Sequence, residues 1–146
     1  MASVRQFQVT FDCADPDGLG RFWASALGYR EQDPPDGFDT WEDFLRDAGV
    51  PEKEWNSASA IVDPEGIGPR LYFQRVPEGK AAKNRVHLDV NVGGGAHTPI
   101  EERKRTIEAV AARLESEGAT RVRQVEQRGE VWIVMQDPQG NEFCLQ

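Results

Sequence analysis

The sequence predicts an α+β protein in which one strand–helix–strands unit occurs twice. Three observations carry this. Two stretches, at 4–13 and 85–92, alternate apolar and polar residues; an apolar stripe at helical spacing follows each; and each half closes on an Asp-Pro-x-Gly turn and a short strand reaching Gln. The copies are offset by roughly 75–80 residues, and their shared order of strand, helix and turn reads as an internal duplication.

In VRQFQVTFDC, residues 4–13, Phe7, Val9 and Phe11 face one way and Gln8, Thr10 and Asp12 the other, since side chains alternate along a strand. Cys13 continues the apolar face and reads as core. Asp15 then caps a helix with Pro16 at its first position. Leu19, Phe22, Trp23 and Ala26 form one helical face, and Gly28 suits the left-handed stop. Residues 34–59 have no counterpart in the second half. Within them Asp39 or Thr40 caps a short helix, WEDFLRDAG, closed by Gly49 and Pro51. Phe38, Trp41, Phe44 and Trp55 of this insert form either a satellite hydrophobic cluster or a lid offering aromatic contacts to a ligand. AIVDPEGIGPRLYFQ, residues 60–74, closes the first unit.

In RVHLDVNV, residues 85–92, Val86, Leu88, Val90 and Val92 take one face and Arg85, His87, Asp89 and Asn91 the other. Thr98, Pro99, Ile100 and Glu101 fit a capping box, Ile107, Val110, Ala111 and Leu114 mark the buried stripe, and Gly118 marks a stop. IVMQDPQGNEFCLQ, residues 133–146, repeats the ending of the first half. Trp132 is opposite in parity to Val131 and Ile133, which leaves it either facing a ligand or packed in a core. The glycines at 93–95 are not followed by the Gly-Lys-Ser/Thr of a phosphate loop, and His97 reads as a loop residue.

The formal net charge of −8 argues against a nucleic-acid partner, which needs a basic surface, and against an anionic membrane surface. No run of about 18 apolar residues is present, and the N-terminus lacks a basic segment followed by an apolar one, so the expected location is the cytoplasm. Cys13 and Cys144 make no disulfide framework. With two histidines, His87 and His97, histidine-based metal chemistry is limited.

DPDGLGRFWASALGY at 15–29, GPRLYFQRVPEGKAAKNRVHLDV at 68–90 and DPQGNEFCLQ at 137–146 resemble the vicinal oxygen chelate superfamily. That superfamily includes glyoxalase I, bleomycin-resistance proteins, fosfomycin-resistance enzymes and extradiol dioxygenases. The segments look most like actinobacterial glyoxalase-like proteins. The resemblance implies one domain, 1–146, of two βαβββ modules: about 1–80, carrying the insert, and about 81–146. It also implies a curved, cup-like mixed sheet with helices outside, and a homodimer. Phe7, Val9, Phe11, Val86, Leu88 and Val90 would then pack under the helices, while Gln8, Thr10, His87 and Asp89 would face the cup.

Metal-dependent members of the superfamily place two ligands per module. The family pattern puts Gln8 and His87 at the first-strand positions and Tyr72 and Cys144 where the carboxylates would stand. Without those carboxylates nothing offsets the ion's charge, and no ligand base remains for glyoxalase I chemistry. The expectation is a metal-free pocket, with no cofactor, for a small organic ligand, lined by Gln8, Thr10, Tyr72, Gln74, His87, Asp89, Trp132 and Cys144. Two alternatives stand beside it: a lyase or isomerase with His87 as general base oriented by Asp89, or a divergent metalloenzyme retaining Gln8 and His87.

Overall fold

The computed structural model describes residues 3–146. The chain divides between Gly79 and Lys80 into two compact units. The first contains β1 (Val9–Cys13), α1 (Pro16–Leu27), β2 (Arg30–Glu31), α2 (Trp41–Asp47), a 3₁₀ segment (Glu52–Ser57), β3 (Ala58–Val62) and β4 (Leu71–Arg75). The second contains β5 (Leu88–Val90), α3 (Ile100–Ser116), β6 (Thr120–Gln127), β7 (Glu130–Gln136) and β8 (Glu142–Leu145). The first sheet runs β1-β4-β3-β2 and the second β5-β8-β7-β6, so the α+β class and the twofold βαβββ plan are both present. In each, the first strand is parallel to the last and the other pairings are antiparallel. A parallel pairing needs a long crossover, and the helix sits within it.

The register shows how closely the units correspond. Thr10 pairs with Tyr72 and Phe11 with Phe73; at the same places Asp89 pairs with Cys144 and Val90 with Leu145. Both Asp-Pro-x-Gly turns are built alike. Asp63 accepts backbone N–H bonds from Glu65, Ile67 and Gly68, and Asp137 accepts them from Gln139 and Asn141. The turn glycines, Gly66 and Gly140, have φ of 71° and 86°, which a side chain would resist.

Each core lies between one sheet and its helix. In the first unit Leu19, Phe22 and Trp23 bury against Ile61, Leu71 and Phe73, with Phe11 stacked on Phe73 at 5.4 Å. In the second, Ile107, Ala111 and Leu114 of α3 bury with Ile133, Met135 and Phe143. Each such large apolar side chain contributes about 1.5–3 kcal/mol. Helix α1 is capped by Asp15, which accepts from the Gly18 N–H at 3.1 Å, and stops at Gly28 in the left-handed region. Thr40, rather than Asp39, caps α2.

Three expectations are corrected. The strand at 4–13 is paired only from Val9, and that at 85–92 only over Leu88–Val90. Phe7 and Val86 therefore precede their strands and are 69% and 80% exposed instead of lying under the helices. The capping box at Thr98 does not form. Pro99 has an extended ψ of 140° and itself takes the cap position, so the helix opens at Ile100 without a side-chain cap.

Candidate functional site

The face of the first sheet opposite α1 carries a bonded polar row. Gln8 and Thr10 are exposed there, and the Gln8 Nε2 donates to Thr10 Oγ1 at 3.3 Å. The Arg70 guanidinium donates to Gln8 Oε1 at 2.8 Å and to Gln32 Oε1 at 2.7 Å, and lies 5.2 Å from the centre of the Tyr72 ring. Gln74 donates to Asp12 at 2.7 Å. Arg70 stands two residues before Tyr72, hence on the same face. That spacing was a legible signal for its role, which sequence reasoning missed.

Beside this row is a cavity of about 430 Å³, which falls within the size range of ligand sites. Tyr72 and Arg70 line it, and so do Trp41, Leu45 and Trp55 of the insert. The indoles are held by their N–H groups: Trp41 donates to the Gln32 carbonyl at 2.7 Å and Trp55 to the Val50 carbonyl at 2.8 Å. Phe38 and Phe44 pack edge to face at 5.3 Å. The insert is thus both a small aromatic cluster and one wall of a cavity. Asp17, Glu31, Glu42 and Glu54 also line it, none of them singled out from the sequence. Partial desolvation, then repulsion from neighbouring acids, pushes the carboxyls of Asp17 and Glu31 above the usual range, although Arg21 opposes this. Gln8, Thr10 and Gln74 do not line the cavity, and Gln8 reaches it only through Arg70.

The second unit has a broader depression of about 910 Å³, lined by His87, Asp89, Trp132 and Cys144 among others. Along β7, Val131, Ile133 and Met135 are buried toward α3, while Trp132 and Val134 turn to this depression. His87 precedes β5, and its Nε2 lies 3.2 Å from Asp89 Oδ1. Two residues along a strand span about 7 Å, but these side chains lean together and close that gap. Cys144 is buried, and its ligand atom lies within 4.8 Å of those of His87 and Asp89. Burial first, then the Asp89 charge and hydrogen bond, raises the Cys144 thiol, which makes it a poor nucleophile at neutral pH. Gln146 donates to Asn91 at 2.9 Å, as Gln74 does to Asp12 in the first unit.

The donor sets differ in their fit to a divalent ion. In the first unit Gln8 Oε1 is occupied by Arg70, whose fixed positive charge also covers Tyr72, so these residues do not fit one. In the second, His87, Asp89 and Cys144 bring one nitrogen, one oxygen and one sulfur together, a set compatible with zinc or a similar ion.

A family model described as glyoxalase-like domain matches residues 8–146. No curated protein matches the chain. Among solved structures, a glyoxalase/bleomycin resistance protein/dioxygenase family enzyme from Burkholderia phytofirmans is 13% identical, covers 94% of both chains and has a TM-score of 0.61. An E126Q mutant of the fosfomycin resistance protein FosX of Listeria monocytogenes, complexed with Mn(II) and 1S,2S-dihydroxypropylphosphonic acid, is 11% identical with a TM-score of 0.62 and covers 99% of this chain and 90% of that one. A bleomycin-binding protein from Streptomyces verticillus, complexed with copper(II)-bleomycin, is 14% identical with a TM-score of 0.52 and covers 99% and 97%. At such identities the likeness is one of fold.

Proposed function

Since the chain belongs to the glyoxalase-like domain family, we propose that it binds a small organic molecule, and that its first unit does so without a metal ion. The observation that carries this reading is Arg70. Its guanidinium takes the Gln8 oxygen and covers Tyr72, the two positions where metal-dependent relatives would present ligands, and it does so at the rim of an aromatic-walled cavity. A few polar groups on an apolar concavity suit binding and sequestration. Gln8, Thr10, Tyr72 and Gln74 would serve the ligand in the first unit, and His87, Asp89, Trp132 and Cys144 in the second. A homodimer belongs to the same reading, and light scattering would test it. The main test is thermal denaturation against a panel of aromatic and amphipathic organic compounds. A ligand at about 100 times its Kd stabilises the folded state by about 2.7 kcal/mol. A shift that Tyr72→Ala abolishes would support binding at this site, whereas no stabilisation by any compound would refute the proposal.

A second reading rests on the convergence of His87, Asp89 and Cys144. His87 could take a proton from a carbon acid while Asp89 holds its ring. Alternatively, the three side chains would hold an ion able to polarise a substrate oxygen. Elemental analysis of untagged protein, alongside a zinc titration, separates these. Near-stoichiometric metal that His87→Ala removes would establish the metal form. Metal-free protein in which His87→Ala keeps full turnover of a discovered substrate would exclude the acid–base form.

A further inference from the structure

The indole-walled cavity of the first unit is not charge-neutral. Four carboxylates line it (Asp17, Glu31, Glu42 and Glu54) against one guanidinium, that of Arg70. Arg70 is already committed to Gln8 and Gln32. Asp17 has a hydrogen bond from Ser59. Among the described residues, no ion pair reaches the carboxylate of Glu31, Glu42 or Glu54, although the Arg21 charge partly offsets the negative potential at Glu31. This contrasts with the other acids near basic residues: Asp43 pairs with Arg46, and Glu108 and Glu115 with Arg121. The unit thus gathers uncompensated negative charge beside aromatic faces. The wall has an internal example of what such a surface accepts, since the Arg46 guanidinium lies 5.4 Å from the centre of the Trp55 ring.

Resting on the small-molecule reading above, we propose that this cavity selects an organic cation, an ammonium or amidinium group on an apolar or aromatic body. The charged group lies toward Glu31 and Glu54, and the body lies along Trp41, Leu45 and Trp55. No covalent step is involved. The ligand's charge replaces a missing counter-ion, and its body covers apolar wall that is otherwise wet.

The test uses three compounds of one shape and different charge: 2-phenylethylamine, 2-phenylethanol and phenylacetate, each titrated calorimetrically into the full chain. The amine should bind about ten-fold more tightly than the alcohol, the scale of a cation–π and an exposed ion-pair contribution together, with phenylacetate weakest. In a Glu31→Gln/Glu54→Gln variant the amine should lose most of that advantage, while the alcohol changes by less than about two-fold. Both positions are exposed, so the variant should remain folded, and its melting temperature checks this. Equal binding of amine and alcohol, or an amine affinity unmoved in the variant, would overturn the cation assignment and leave the binding proposal intact. If none of the three binds while a compound of the wider panel stabilises the protein, the cation assignment again falls alone. If no compound of any kind binds, both fall.

Discussion

Arg70 shows how one residue changes the chemistry a fold permits. It stands just before β4 on the side of Tyr72 and is long enough to reach Gln8, just before the neighbouring β1. A guanidinium there repels a metal ion from the Gln8 and Tyr72 positions and leaves the Gln8 oxygen no free role. Arg70→Met should lower stability by about 1 kcal/mol, because two glutamine acceptors lose a charged donor at a partly exposed site. The urea midpoint would measure this. The same variant should bind a cationic ligand at least as tightly in the calorimetric titration, since a positive charge is removed from the cavity lining.

At the scale of the element, the closing turns explain why two sequence stretches that differ in detail end alike. Asp137 is 3% exposed and its carboxylate accepts two backbone N–H groups and the Asn141 amide. Asp137→Ala should cost about 1–3 kcal/mol, the penalty of leaving buried donors unsatisfied. Asp63→Ala, at the more open equivalent turn, should cost less. Denaturant unfolding of both variants checks the order. The duplication was legible because it is local: each strand, helix and turn announces itself within a dozen residues. The strand limits were less so. Phe7 and Val86 have the right parity, but pairing begins after them, and parity does not reveal where a neighbouring strand starts. The capping box at Thr98 failed for a related reason, since the conformation of Pro99 moved the cap by one residue.

At the scale of the whole molecule, the net charge of −8 is unevenly placed. Gathering carboxylates in one cavity opposes folding. Partial desolvation, and after it repulsion from Asp17 and Glu42, raises the folded-state pKa of Glu31, so its ionised form is disfavoured in the fold and stability is lost as pH rises through that pKa. Glu31→Gln should therefore raise the melting temperature at pH 7, with the gain shrinking as pH falls into and below the ordinary carboxylate range. A constant gain at every pH would refute this origin. By contrast, Asp15 is held low, chiefly by hydrogen bonds from Asn56 and the Gly18 N–H, and Glu108 chiefly by Arg121. Their contribution is present at neutral pH and lost on acidification below that range.

Periodicity, caps and the repeated Asp-Pro-x-Gly turn were enough to determine, from the sequence alone, an α+β chain of two like units and the face on which Gln8 and His87 stand, while the family resemblance supplied the positions of Tyr72 and Cys144. These signals depend on neighbours a few residues apart. The occupants of each site were decided only in the tertiary structure. Arg70 takes the Gln8 oxygen, Asp89 meets Cys144, and the acids of α1, β2 and the insert meet around two indoles. Such encounters join residues tens of positions apart, and their outcome depends on side-chain reach and packing, which no local pattern encodes.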